Sequence, residues 1–369
     1  MVTHILDNTE KIRLVDKSGM IDYAVNAAHH YSEAAKVADH IAVDFPKPVN
    51  IVIAGLGGSA IGGEIMKDWA KYKIKVPIEV SREYQLPAYA GKKTLVLICS
   101  YSGDTEETLS SFLDALKRGC MIYCISSGGA VIKYAKKLKI PYLQVPGGMP
   151  PRAALPYMLV PQLVLLEKMG LAKGVKVELA EATALLEKIC QENGPNCPTR
   201  DNFAKTTAYH IGDTAPVIYG WGMYQSIARR FKQQFNENSK SAAKWDNFPE
   251  LDHNDIVGWE CRGEQIRYFS IIFIRDIDNE PTEIECRLDV TKGIMERAGL
   301  IMFDLKVEGK TPLARMISTI VIGDFTSIYL AVMRGADPTP VNSITHLKNE
   351  IAQNGAKDKI VAELEKLKL

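Results

Sequence analysis

After an apolar run ending at Cys99 the chain reads Ser100-Tyr101-Ser102-Gly103-Asp104-Thr105-Glu106-Glu107, which sets three hydroxyl side chains within six positions around one glycine. Ser100, Ser102 and Thr105 can each donate to an anionic oxygen, and Gly103 lets the backbone approach closely. A helix opening at Thr105 adds free N–H groups and the positive end of its dipole. The ligand such a loop suits is a terminal phosphate monoester. The same residue types also build ordinary strand-to-helix turns, but three hydroxyls so close together favour the anion. Asp104 and Glu107 are spaced like a capping box at the helix start.

A second loop, Gly55-Leu56-Gly57-Gly58-Ser59-Ala60, also stands between a strand-like run and a helical one. It permits close backbone approach to a ligand, and its spacing fits the dinucleotide pattern G-x-G-x-x-A, with Glu79 suitably placed downstream for a ribose contact. A pyrophosphate-binding turn has no need of the hydroxyl-rich loop, whereas a monoester does. Tight strand–helix packing would use the glycines equally well. Two segments offer proton carriers. In Asn236-Glu237-Asn238-Ser239-Lys240 a carboxylate lies between two amides, where partial enclosure would tune its protonation for proton transfer; taken alone, the segment reads as a solvated helix end. His253, in Pro249-Glu250-Leu251-Asp252-His253-Asn254, has polar neighbours in a loop and exchanges protons near neutrality. His210 and His346 fall in helical patterns and read as structural.

The elements that must position these residues alternate in type. Met20, Ala24, Ala27, Tyr31, Ala34, Ala38 and Ile41 predict an amphipathic helix over 19–43, with Pro46 and Pro48 just beyond it. Strands are then expected at 51–54, 78–81, 94–99, 121–125 and 142–145, with helices at 60–71, 105–117 and 131–138. That order predicts an α/β fold, a parallel sheet flanked by helices, with ligands beyond the carboxyl ends of the strands. Helices over 152–168 and 175–191 follow, and Asn193-Gly194-Pro195-Asn196-Cys197-Pro198 reads as a linker.

The second half repeats the first in outline. Val217-Ile218-Tyr219-Gly220-Trp221-Gly222 matches Val52-Ile53-Ala54-Gly55-Leu56-Gly57, and the run 269–274 is the counterpart of 94–99. After Ile274, however, comes Arg275-Asp276-Ile277-Asp278-Asn279-Glu280, acidic and without Ser or Thr. The second copy is unsuited to a phosphate, so one phosphate site per subunit is expected.

With 369 residues, 46% of them hydrophobic, the chain can fill the cores of two domains. A formal charge of +1 provides no global field for nucleic acid or an anionic membrane. The seven cysteines are scattered and read as reduced thiols of a cytoplasmic protein, not as a disulfide frame or a zinc site. The first residues are too charged for a signal peptide. The longest apolar region, 316–333, carries Asp324 at its middle and predicts a buried core helix, not a membrane span. No metal is expected, since no HxH or carboxylate cluster suggests one.

Taken together and in order, GLGGSAIGG, SYSGDTEET, PPRAAL, FNENSK and PELDHND resemble the bifunctional phosphoglucose/phosphomannose isomerase family, built of tandem sugar isomerase (SIS) domains. The resemblance runs from about Asn50 to Lys348. It implies two flavodoxin-like SIS domains: 1–192 with the N-terminal helix and the phosphate site, and 199–348 with the catalytic Glu and His, followed by a helical tail over 349–369. Substrate contacts would fall on Gly57, Gly58, Ser59, Ser100, Ser102 and Thr105. Glu237 would be the catalytic base, Arg152 would stabilise an enediolate, and His253 would open the sugar ring with a C-terminal lysine. Lys348 is the choice for that lysine, with Lys310 and Lys357 left open by the motif. His253 would serve the neighbouring subunit, making the protein a homodimer with shared sites.

The activity so implied is reversible aldose–ketose isomerisation of glucose 6-phosphate and/or mannose 6-phosphate with fructose 6-phosphate through a cis-enediol. It needs no cofactor, and its substrates are those of glycolysis and gluconeogenesis. Two departures stand out. Asp104 replaces the more usual Asn of the phosphate loop, where a carboxylate would repel a dianion unless it points away or caps the helix. Asp252 stands where Asn is common. The tail 349–369 extends beyond the matched region, and its Ile360, Leu364 and Leu367 predict a packed helix. Two rival classes use the same residues: an NAD-dependent oxidoreductase built on Gly55 to Ala60, and a non-catalytic SIS sensor of sugar phosphates.

Overall fold

A computed structural model describes residues 5–260 and 264–367; Cys261 lies outside the described residues. Two compact units divide the chain, and neither is continuous in sequence: one joins His30–Val177 to Val341–Leu369, the other joins Met1–His29 to Glu178–Pro340.

Three helices precede the first strand: α1 (Thr9–Val15), α2 (Met20–Val25) and α3 (Ala27–Ala38). The single helix expected over 19–43 is broken at Asn26, whose side-chain amide donates to the Asp22 carbonyl at 2.8 Å. Such local bonding is how Asn competes with helix continuation. The first unit then builds β1 (Asn50–Ala54), α4 (Gly57–Ala70), β2 (Ile78–Ser81), β3 (Thr94–Cys99), α5 (Glu106–Lys117), β4 (Met121–Ser126), α6 (Gly129–Lys137) and β5 (Tyr142–Gln144). All pairings are parallel and the strand order is β2-β1-β3-β4-β5, the flavodoxin-like order. Every residue of β3 is buried, as an apolar run covered on both faces must be. On one face, α7 (Leu155–Lys168) packs against α4, where Gly62 leaves no room for a side chain: a Cβ there would stand 3.0 Å from the Met158 carbonyl oxygen.

The second unit follows with α8 (Val175–Asn193), α9 (Phe203–Ile211), β6 (Ala215–Trp221), α10 (Gln225–Asn238), β7 (Lys244–Phe248), β8 (Phe269–Arg275), α11 (Thr282–Arg297), β9 (Ile301–Lys306) and α12 (Pro312–Met333). Its four strands are parallel in the order β7-β6-β8-β9, so β6 and β8 repeat the places of β1 and β3. The long apolar stretch is the buried core helix expected: α12 packs on α2, α9 and α10, and 89% of its apolar window is buried. Its Asp324 is tolerated because Arg230 donates to both carboxylate oxygens, at 2.8 and 3.0 Å, and Gln234 donates at 2.8 Å.

The chain ends with α13 (Asn342–Ala352) and α14 (Ala356–Lys366). Helix α14 returns to the first sheet and packs on α5 and α6. Leu364 is fully buried there, with Ile360, Val361 and Leu367 beside it, so the apolar spacing of the tail does mark a packed helix. Packing thus divides the chain differently from sequence order, in which 1–192, 199–348 and 349–369 would be separate blocks. The reason is packing between segments distant in sequence: the apolar side of α14 is completed by the first sheet's helices, while α2 completes the surroundings of α12 in the second unit.

Candidate active site

In the first sheet, the chain passes from β1 through α4 to β2 on one side, and from β3 through α5 to β4 on the other. The loops leaving β1 and β3 therefore lie side by side at the carboxyl ends of the strands, the position where open α/β sheets take ligands. These are the glycine loop and the hydroxyl loop. They are stitched together by Ser59, whose Oγ accepts from the Tyr101 amide at 2.9 Å. The two backbones also touch, since a Cβ on Gly55 would stand 2.7 Å from the Cys99 carbonyl oxygen.

Within the hydroxyl loop, Ser100 Oγ and Thr105 Oγ1 lie 3.1 Å apart, and the Gly103 amide donates to Ser100 Oγ at 3.1 Å. The Asp104 amide donates to Ser102 Oγ at 3.3 Å. Ser59 and Ser100 are buried, Thr105 is half-buried and Ser102 is exposed, so the hydroxyls run from the floor of the loop to its rim. The capping box expected from Asp104 and Glu107 does not form. Thr105 is the N-cap residue and its side chain makes no cap bond, while Asp104 faces elsewhere, accepting from the Ala130 amide at 3.4 Å and from Lys357 at 2.9 Å. The first-turn amides of α5 carry no side-chain cap, as an anion-binding helix start requires.

A third loop that the sequence reading passed over buttresses this pair. The turn between β4 and α6 sends the Ser127 amide and hydroxyl to the Tyr101 carbonyl at 3.0 and 2.6 Å, and the Val131 amide to the Gly103 carbonyl at 3.0 Å. Gly103, at φ +75°, lies so close that a Cβ there would stand 1.9 Å from the Gly128 carbonyl oxygen. The run Ser126-Ser127-Gly128-Gly129 was the available signal, since a close approach of two backbones asks for glycine on both sides.

Arg152 is buried and sits in the turn before α7, not on the helix, because α7 begins at Leu155 with Pro156 in its first turn. Gly58 brings that turn against the glycine loop: a Cβ there would stand 2.7 Å from the Pro151 carbonyl oxygen. The backbone of Arg152, with Gly57, Gly58, Ser59, Ser100, Ser102 and Thr105, thus belongs to one neighbourhood of the first unit.

Glu237 and His253 belong to the second unit, on different elements. Glu237 lies half-buried in the last turn of α10. Its flanks fix the helix end: Asn238 donates to Ser327 Oγ at 2.9 Å, Asn236 Oδ1 accepts from the Ala243 amide at 3.1 Å, and Lys240, at φ +53°, donates to the Glu237 carbonyl at 2.6 Å. His253 ends a short 3-10 turn, Glu250–His253, and is exposed. The adjacent Asp252 accepts from Arg287 at 2.8 Å and Thr291 at 3.1 Å, both on α11.

At the second sheet's corresponding loops, Asp276 is buried, accepts from the Tyr224 hydroxyl at 2.6 Å and pairs with Arg315 at 3.2 Å. Burial and that carboxylate acceptor together push the Tyr224 phenol far up. A compensated carboxylate occupies the place where the first sheet presents hydroxyls. Of the three lysines, Lys348 is exposed on α13, Lys357 pairs with Asp104, and the backbone amide of Lys310 donates to Glu181 at 2.7 Å. The Cys99 thiol beneath the loop is pushed up to about 12 by burial, which leaves it inert. The described cysteines are free thiols.

The family model for the bacterial phospho-glucose isomerase C-terminal SIS domain matches residues 200–351. The bifunctional phosphoglucose/phosphomannose isomerase of Caldicellulosiruptor bescii is 38% identical over 90% of this chain and 99% of its own length. The chain belongs to the bifunctional phosphoglucose/phosphomannose isomerase family. The Aquifex aeolicus member of that family is 34% identical over 86% of this chain and 94% of its own. Among solved structures, hypothetical protein TT0462 from Thermus thermophilus aligns with a TM-score of 0.71 at 13% identity, covering 94% of each chain. The C-terminal domain of glucosamine-fructose-6-phosphate aminotransferase from Francisella tularensis aligns with a TM-score of 0.65 at 16% identity, covering 86% of this chain and 96% of its own. At those identities the likeness is one of fold, two parallel sheets flanked by helices. The glycine loop, the hydroxyl loop and the turn carrying Arg152 all lie in the first unit.

Proposed function

We propose that the protein interconverts glucose 6-phosphate and mannose 6-phosphate with fructose 6-phosphate. The observation that carries this reading is the joining of the glycine and hydroxyl loops through Ser59 and Tyr101 at the carboxyl ends of β1 and β3, in a chain of this family. An uncapped helix start and three hydroxyls suit the phosphate, which anchors one end of a flexible sugar and turns binding energy into orientation of C1 and C2. His253 and Lys348 move the proton between the anomeric hydroxyl and the ring oxygen, opening the hemiacetal. Glu237 then takes the proton from C2 of the aldose and returns it to C1, while O1 gains a proton and O2 gives one up as the new carbonyl forms. A positioned general base contributes about 10²–10⁴-fold to such a transfer. Arg152 holds a fixed positive charge against the enediolate oxygen. Hydrogen is only redistributed within the substrate, so the step is redox-neutral and calls for no cofactor.

In this reading the working unit is a cytoplasmic homodimer in which each His253 completes the neighbour's site. Fructose 6-phosphate formation measured from each aldose tests the activity. Glu237→Gln should abolish turnover while leaving fructose 6-phosphate binding intact. A wild-type protein that binds the sugar phosphate without converting it would be a sensor, and one that binds NAD through Gly55 to Ala60 would be an oxidoreductase.

A further inference from the structure

The hydroxyl loop contains a carboxylate that phosphate binding does not explain. Asp104 lies between Gly103 and the α5 N-cap residue Thr105, with Oδ2 in the space left by the missing side chain of Gly129, where a Cβ would stand 2.6 Å from it. Its other carboxylate oxygen accepts from the Ala130 amide at 3.4 Å, bracing the start of α6. A bare carboxylate in this position would repel a phosphate dianion.

Lys357 meets it, with Nζ 2.9 Å from Asp104 Oδ1. Lys357 is the second residue of α14, where the helix dipole disfavours a cation, so the stability of α14 does not account for it. Nor does α14 depend on the pair for its place. Leu364 is fully buried against the first sheet's core, and Glu363 pairs with Lys117 at 2.6 Å. A packed helix therefore delivers one ammonium group to the rim of the phosphate loop. The two side chains are 39% and 44% exposed, which makes the pair a small contributor to folding.

We propose that Lys357 is a positioning residue of the phosphate site: its ammonium neutralises Asp104, so the loop keeps a brace for α6 without repelling a sugar-phosphate dianion. This rests on the phosphate cradle proposed above. The tail beyond residue 351, where the match to the C-terminal domain model stops, thereby sets phosphate affinity.

The test is a double-mutant cycle of Lys357→Ala and Asp104→Asn. Binding of fructose 6-phosphate and of inorganic phosphate is read by calorimetry, with KM, kcat and the thermal midpoint alongside. At about 0.02 M salt, Lys357→Ala should weaken both ligands by roughly three- to tenfold and leave kcat within about twofold, the loss shrinking near 0.5 M salt as screening tightens. Adding Asp104→Asn should restore affinity, and Lys357→Arg should keep it. The proposal is overturned if Lys357→Ala binds phosphate like the wild type at low salt. It is equally overturned if the loss persists in the Asp104→Asn background, which would make Lys357 a direct ligand or a purely structural contact. Wild-type protein that binds phosphate without isomerising removes the isomerase reading alone, because the calorimetric cycle still decides the role of Lys357. Wild-type protein that binds neither ligand removes both.

Discussion

Asp252 and Arg287 form a 2.8 Å ion pair between the turn that ends in His253 and the outer helix α11. The carboxylate's second oxygen accepts from Thr291 on the same helix at 3.1 Å. An asparagine here could accept one of these bonds but could not form an ion pair with the guanidinium. The aspartate is thus matched to Arg287 within this chain, and it holds the residue next to His253 at two points. Arg287→Ala should leave the turn looser and lower kcat by about five- to fiftyfold, the scale expected when a proton carrier is less well oriented, with KM nearly unchanged. Steady-state kinetics on both aldoses check this. A change confined to KM would show that Arg287 acts on binding.

The hydroxyl loop makes a separable prediction about affinity. Ser100→Ala or Thr105→Ala removes a hydrogen bond to a charged group, worth about 1.5–3 kcal/mol, so fructose 6-phosphate binding should weaken by roughly tenfold or more. The fold should survive, since each side chain is small and the 3.1 Å contact between them is the only one lost in common. Calorimetry with a parallel thermal melt separates the two effects. Unchanged affinity in both variants would remove the loop from the phosphate site.

Arg152 should behave differently from the loop residues. Its backbone packs on the glycine loop and its side chain is buried, so replacement by Lys keeps a charge but loses the planar fork. Turnover should fall by about tenfold or more while binding of fructose 6-phosphate changes little. Loss of affinity with kcat preserved would make Arg152 a phosphate ligand and not a stabiliser of the enediolate.

The strands of the first sheet were legible because most are short apolar runs closed by turn residues, whereas β7, whose sequence is Lys-Trp-Asp-Asn-Phe, and β9 carry no such signal and went unread. The limits of the 78–81 and 94–99 strands agree with the structure, and the neighbouring helices differ by a few residues at their ends. The twin-loop site was legible for the same reason, since its chemistry lies in two contiguous segments. What escaped was everything set by long-range packing. The break at Asn26 escaped for a different reason: it is made by a local side-chain bond to the Asp22 carbonyl, which apolar periodicity does not register. Asp104 and Glu107 had capping-box spacing, yet Asp104 is drawn instead to Ala130 and to Lys357, 253 residues away in sequence. The apolar spacing of the tail showed that it would pack, but not that the first unit would be its partner. Asp252 is held by Arg287 and Thr291, 35 and 39 residues further along the chain, a pairing that no local pattern marks.

His253 is exposed on its own chain. Among the described residues only the first sheet carries a hydroxyl cradle, so His253 belongs to the half without one. Helix α13, which bears Lys348, also leaves Ile344, Leu347 and Ile351 exposed along one side. In a two-fold pair each chain meets its partner through the same surface, so a residue such as His253 could serve the partner. Mixing two inactive variants, Glu237→Gln and His253→Ala, tests this directly. If the base acts in its own chain and the histidine across the interface, a mixed dimer gathers both lesions in one site and leaves the other whole. Activity should recover to about half the wild-type value per heterodimer, or roughly a quarter over a random mixture, by counting sites on a two-fold dimer. Should subunit exchange be verified without any recovery, each His253 would act with the Glu237 of its own chain, and the shared site would be excluded.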